Sequence, residues 1–224
     1  MPSIPENLEL DYVTHLDYPI PPQEIIDECL AQLDIEEPFY NMYYTKSSFP
    51  GSKDDVRAQE YPDGHLGFNA TQEIYEYVKD RPGRFANFTL RRMPPKTSAW
   101  LDEHVIPKFK DKFKVTFKEL VCVFDGTVIY PHTDTPYAVV NFMVDTAGEG
   151  AVTQFYKRKP EFEGTTTYEC NVYPYERIDL VEEHIIKKGE WVMLNVRELH
   201  SVDNMDPQGR RIIIQMSVEP LNAV

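Results

Sequence analysis

Cysteine is scarce in this chain: among 224 residues there are three, Cys29, Cys122 and Cys170, widely spaced and with no C-x-x-C pair. An odd, scattered set argues against a disulfide framework or a zinc knuckle and suits a reducing compartment. Basic residues are also few, 23 against 37 acidic, for a net charge of −14. Nucleic-acid backbones and anionic membranes are bound by basic patches, so neither is an expected partner. The surplus of carboxylates reads first as a soluble surface. No run approaches 18 apolar residues, so no segment is expected to span a membrane. Residues 1–11 lack the charged start and apolar core of a signal peptide, and the expected location is cytoplasmic. Repeats and low-complexity tracts are absent as well. The whole length, 1–224, is expected to form one domain with its own core.

The N-terminal part, 1–114, reads as helical and irregular support. Residues 1–20 look extended. Pro21-Pro22 opens a helix to about Leu33, with Ile25, Ile26, Cys29, Leu30 and Leu33 on one face. Residues 39–69 are rich in Tyr, Gly, Pro and Ser without a period, which suggests a long irregular segment, a candidate lid over a substrate. Thr71 is placed to cap a helix to about Lys79, and Thr97 or Ser98 another to about Phe113. Phe85 to Arg92 reads as a strand between them. From 115 to 220 the pattern changes to many short strands. These run over Val115–Phe124, Ile129 onward, Tyr137–Val144, Ala151–Tyr156, Thr165–Tyr173, Arg177–Val181, Ile185-Ile186, Glu190–Val196 and Arg210–Val218. Asp125-Gly126 and Ala147–Gly150 supply turns, and 157–164 a charged loop. Such spacing predicts a mainly β fold of the sandwich or jelly-roll kind.

Within this region Ile129-Tyr130-Pro131-His132-Thr133-Asp134 places an imidazole and a carboxylate two positions apart at a strand edge. Residues i and i+2 of a strand share a face, so both can grip one ion. Alone, the pair reads equally well as a structural contact. His200, after the run Glu190–Val196, supplies a third ligand. Two His and one carboxylate bind non-haem Fe(II) on one face of the octahedron and leave the other open. Asp134 cancels one of the two charges of the ion, so an anionic 2-oxo acid is still attracted and can chelate, leaving a position for O2. If that acid carries a second carboxylate, a guanidinium suits its far end. Arg210 and Arg211 follow His200 at the head of the last strand. Should Arg211 point inward, so do Ile213, Gln215 and Ser217. Arg210 would then share the face of Ile212, Ile214 and Met216, a stripe fit for packing on helices.

In order and spacing these parts resemble the Fe(II)/2-oxoglutarate-dependent dioxygenase superfamily. His132-Thr133-Asp134 matches its H-x-D pair, His200-Ser201-Val202 its distal His, and Gly209-Arg210-Arg211 its basic co-substrate strand. The resemblance covers about residues 115–220. It implies a double-stranded β-helix (jelly roll, cupin-like) entered by N-terminal helices, with His132, Asp134 and His200 holding Fe(II). It implies O2 and 2-oxoglutarate as co-substrates, the latter decarboxylated to succinate and CO2 while a small molecule or peptide side chain is hydroxylated. Arg211 and Arg210 both remain candidates for the far carboxylate: the face argument favours Arg211, and the ten-residue offset from the distal His common in the family favours Arg210. Asn141 lies where one branch of the family places a second co-substrate contact, and Tyr130 is a further candidate. A carboxylate at 134, rather than Gly or Ala, speaks against a halogenase. The rival expectations are a non-catalytic jelly-roll binding module and a cupin-like metalloenzyme that needs no 2-oxo acid.

Overall fold

The computed structural model describes residues 10–33, 40–44, 86–123, 129–134, 136–160 and 175–221. Eleven strands and two helices are assigned there. They are β1 (Val13–Leu16), α1 (Gln23–Leu33), β2 (Tyr40–Tyr44), β3 (Ala86–Arg92), α2 (Pro95–His104), β4 (Phe113–Val123), β5 (Ile129–His132) and β6 (Ala138–Thr146), followed by β7 (Val152–Arg158), β8 (Ile178–His184), β9 (Trp191–Leu194), β10 (Leu199–Asp203) and β11 (Arg211–Pro220). A seven-stranded sheet runs β1-β9-β6-β11-β4-β3-β2 and a four-stranded sheet runs β5-β10-β7-β8. From β4 to β11 the chain passes between the two sheets, and every pairing given is antiparallel. Eight strands wound in this way, four to a sheet, make a double-stranded β-helix. Strands β1, β2 and β3 extend its larger sheet.

Burial follows from this layering. The central strands β6 and β11 are covered on both sides, which is why Ala138-Val139-Val140-Asn141-Phe142-Met143-Val144 and Ile212-Ile213-Ile214 read as unbroken runs rather than alternating ones. One side of the larger sheet (Leu120, Cys122, Val140, Phe142, Trp191, Met193, Ile212, Ile214, Met216) packs with Cys29 of α1 and Leu101 of α2. The other side (Val121, Val123, Val139, Met143, Val192, Leu194, Ile213) faces the smaller sheet and meets Phe155. Each such side chain removed from water contributes about 1.5–3 kcal/mol. The extended N-terminus is fastened to the barrel by β1–β9 pairing and by Trp191 Nε1 donating to the Pro19 carbonyl at 2.9 Å.

Several elements differ from the sequence reading. Helix α2 starts at Pro95, with Pro94 as its cap residue, and not at Thr97 or Ser98. Thr97 is buried inside the helix. Its hydroxyl and its backbone N–H both donate to Glu28 of α1 at 2.8 Å, and the Lys96 N–H joins them at 3.2 Å. A carboxylate from a neighbouring helix therefore does the capping, and the hydroxyl is consumed in packing. The helix stops at His104, and a 3-10 turn over Ile106–Lys108 carries Pro107, instead of running to Phe113. Tyr40–Tyr44 is a strand inside the segment expected to be irregular. Of the two short strands expected at Arg177–Val181 and Ile185-Ile186, the first is part of the longer β8 (Ile178–His184), and Ile185-Ile186 lie past its end with no strand assigned. Leu30 of α1 is 36% exposed. The helix expected at Thr71–Lys79, the Asp125-Gly126 turn, the strand Thr165–Tyr173 and residues 45–69 lie outside the described residues.

At the head of β11 the chain approaches itself closely. A Cβ on Gly209 would stand 3.0 Å from Cα of Ala147 and 3.1 Å from Cβ of Asp206, in a turn held by the Asp206 N–H donating to the Ala147 carbonyl at 2.6 Å. Gly209→Ala is expected to cost about 1–3 kcal/mol, as overpacking does, and to lower the melting temperature by several degrees. Differential scanning calorimetry of the two proteins checks this.

Candidate metal centre

Strand pairing brings the two histidines together. β5 ends at His132, and its cross-strand partner on β10 is His200, which is in turn opposite Phe155 on β7. Direct partners share a face, so the three rings form a row on the inner wall, with centroids 4.3 Å apart for His132–His200 and 6.0 Å for His200–Phe155. Asp134 lies just past the strand. Its N–H donates to the Val196 carbonyl at 2.8 Å, which holds the turn against the end of β9. Asp134 Oδ1 stands 3.7 Å from His132 Nε2, and Oδ2 3.6 Å from His200 Nε2. One ligand atom from each residue lies within 4.8 Å of the others.

These separations decide between the two readings of the pair. At 3.6–3.7 Å the carboxylate is beyond hydrogen-bonding distance of either imidazole. A carboxylate that merely orients a histidine would sit closer. Two nitrogens and a carboxylate converging without bonding one another make the donor set of a divalent cation, and that set fits Fe(II). His200 is prepared for the task. Its Nδ1 donates to the Glu198 carbonyl at 3.0 Å, which leaves the lone pair on Nε2. Burial, and then the neighbouring His132, push its pKa down to about 4, so the imidazole is neutral at pH 7. Asp134 is 45% exposed, so the centre opens to one side.

Arg211 is the inward arginine. It is 2% exposed, shares a face with Ile213, and its Nη2 donates across to Thr153 Oγ1 on β7 at 3.5 Å. Arg210 is exposed and precedes the strand. The stripe Ile212, Ile214 and Met216 packs toward the helices as its parity requires. Burial lowers the pKa of Arg211 to about 10, which still leaves it cationic at pH 7. Among the described residues no carboxylate forms an ion pair with it.

Asn141 also faces the interior, on the parity of Val139 and Met143. Asn141 is 3% exposed, and its Oδ1 has no hydrogen-bond partner. The side chain of Tyr130 lies outside the described residues. Tyr156 points to the opposite face of the smaller sheet, bonded to Ser201 and Gln154. Of the other histidines, His15, His104 and His184 do not join the metal group, and His65 lies outside the described residues. Cys29 and Cys122 are buried and form no disulfide among the described residues. Asn204, with φ 54, is a turn residue. Two inward residues escaped the sequence reading. Thr153 and Glu119 each interrupt an apolar alternation with a polar side chain on the core-facing parity, and that was the available signal.

No family model and no curated protein matches the chain. Solved structures do. HygX from Streptomyces hygroscopicus, with nickel, 2-oxoglutarate and hygromycin B bound, is 10% identical over 60% of this chain and 70% of its own, with a TM-score of 0.39. SnoK, a non-haem α-ketoglutarate-dependent carbocyclase from nogalamycin biosynthesis, is 11% identical over 92% and 79%, with a TM-score of 0.46. SnoN, an epimerase of the same dependence and biosynthesis, is 12% identical over 93% and 78%, with a TM-score of 0.44. At this distance the likenesses carry no argument about activity. What the fold and the site define on their own is a double-stranded β-helix with a two-histidine, one-carboxylate group inside its open side.

Loss of one ligand from such a set should cost more than loss of a supporting hydrogen bond, which alone is worth roughly 10–100-fold in metal affinity. Asp134→Ala and His200→Ala are each expected to weaken Mn(II) binding, followed by electron paramagnetic resonance, by more than about 100-fold. Replacing His104, an exposed histidine outside the group, is expected to leave it unchanged.

Proposed function

We propose that this protein is an Fe(II)- and 2-oxoglutarate-dependent oxygenase acting on a small molecule or a peptide side chain, with hydroxylation as the default outcome. The observation that carries the reading is Arg211: a buried guanidinium with no carboxylate partner among the described residues, inside the same barrel as the His132–Asp134–His200 group. A buried cation without a counter-ion is costly unless a ligand supplies the charge. A non-catalytic jelly-roll module, or a metalloenzyme that needs no diacid, leaves that arginine unexplained.

His132, Asp134 and His200 would hold the ion on one face. When bound, Fe(II) supplies activation of O2 coupled to decarboxylation of 2-oxoglutarate to succinate and CO2. Arg211, assisted by the Thr153 hydroxyl, would receive the far carboxylate through a bidentate contact. Thr153 lies two residues along β7 from Phe155, the neighbour of His200, so the arginine sits about 7 Å deeper than the histidine row. A chelating five-carbon diacid reaches that far. The amide N–H of Asn141 is assigned as a further donor to the co-substrate. Tyr130 is assigned on sequence position, as a phenol on the metal strand. Phe155, stacked on Tyr12 at 4.8 Å, closes the floor beneath His200 and keeps water from that side.

Adding 2-oxoglutarate to the anaerobic Fe(II) protein is expected to produce a visible charge-transfer band, and air is expected to release succinate. Arg211→Met is expected to weaken 2-oxoglutarate binding by about 100-fold, the scale of losing a buried charged pair, with Mn(II) affinity retained. A wild-type protein that binds Fe(II) yet gives neither band nor succinate would overturn the proposal.

A further inference from the structure

A second carboxylate, Glu119, lies on the inner face of the larger sheet, and it is not one of the metal-holding group. On β4 the core-facing residues are Val121 and Val123, so Glu119 shares their face. Register then places Arg92, Glu119, Gln215 and Asn141 side by side across β3, β4, β11 and β6. This is a polar row on the wall opposite the histidines. Glu119 is half-buried, and its pKa is raised by burial and then by the charge of Asp134, which puts the two carboxylates within electrostatic reach. Among the described residues no Lys or Arg forms an ion pair with Glu119. That includes Arg92, which stands across from it, is exposed and has a contact of its own.

The other end of the row is more demanding. Asn141 Oδ1 is buried without a partner, and a buried acceptor left unsatisfied is destabilising. An ionised 2-oxo diacid offers no donor, so the co-substrate does not satisfy this oxygen. The primary substrate is the component that can bring a donor to it. An anionic substrate would meet Glu119 and Asp134 together, while a cation with several N–H groups answers both the charge and the orphan acceptor.

We propose that Glu119 and the Asn141 carbonyl oxygen, with Gln215 between them, receive a protonated nitrogen of the primary substrate, an ammonium or guanidinium, and that the substrate class is therefore cationic. The assignment rests on the oxygenase reading of the metal group, and it adds the positioning of substrate by the wall facing that group. The carboxylate takes the charge, and the asparagine fixes direction.

The test uses wild-type protein loaded anaerobically with Fe(II) and 2-oxoglutarate, and three probes of one chain length: hexylammonium, hexanol and hexanoate. Binding is read from perturbation of the charge-transfer band and from relaxation of the probe protons. Hexylammonium is expected to bind at least about tenfold more tightly than hexanol, and hexanoate most weakly, the scale of one charged hydrogen bond. In Glu119→Gln the ammonium and the alcohol are expected to bind within about twofold of each other, and in Asn141→Ala, held at saturating 2-oxoglutarate, the ammonium is expected to lose more affinity than the alcohol. The wild-type ranking decides the matter if either variant fails to fold. Equal binding, no binding, or preference for hexanoate, with the band intact, overturns the cationic assignment only. Absence of the band overturns the oxygenase reading on which it rests.

Discussion

The cross-strand partnership of His132 and His200 is the constraint on which the site depends. The two residues are far apart in sequence, and only the β5–β10 register makes them neighbours on one face. Because side chains alternate with a period of two, a slip of one residue would turn one imidazole out of the barrel. The register is held from both sides. β10 pairs without interruption to β7 from Leu199 to Asp203, and the Asp134 N–H is bonded to Val196 at the end of β9. Burial of Phe155 at 0% exposure under the pair fixes the wall against which both rings lie. The metal group is thus a by-product of sheet pairing, and its accuracy is the accuracy of the core.

A similar economy appears on β11. One face is Ile212, Ile214, Met216 and Val218, packed with the helices, and the other carries Arg211, Ile213, Gln215 and Ser217 toward the second sheet. A strand buried on both faces ordinarily carries no charge. Arg211 is the exception, and its one side-chain hydrogen bond among the described residues is to Thr153 on the facing sheet. Helix packing on the far side makes the strand rigid, so the guanidinium is held by the same contacts that stabilise the fold.

Much of this was legible from the residues. The H-x-D pair, the distal histidine and the alternation that separates Arg211 from Arg210 are all local patterns, and alternation within one strand is reliable. What failed were inferences that crossed an element boundary. The α2 start was assigned to Thr97 or Ser98 because a hydroxyl near a helix start usually caps it, whereas Glu28 of α1 reaches in and takes the role. Strand β10 went unrecognised since Leu199-His200-Ser201-Val202-Asp203 is short and mixed, and its strand character comes from its two neighbours. Glu119 was visible as the polar member of an apolar alternation, but its neighbourhood with Gln215 and Asn141 exists only once three strands are in register.

Formal charges in the chamber bear on what can occupy it. Asp134 and Glu119 each contribute a negative charge, Arg211 a positive one, and His200 is neutral at pH 7 because burial keeps it so. A ferrous ion and a fully ionised 2-oxo diacid cancel each other in whole charges. Asp134 and Arg211 then cancel as well, and Glu119 is left with only the exposed Arg92 across the strand from it. Water can share that charge while the chamber is open, which fits a carboxyl whose pKa is raised rather than one locked in an ion pair. Once a substrate displaces the water, the effective dielectric falls and the residual charge weighs more heavily. A neutral substrate would have to force a proton onto Glu119 to close the site. A monocation closes it at no such cost, so the same carboxylate that destabilises the empty chamber selects its occupant.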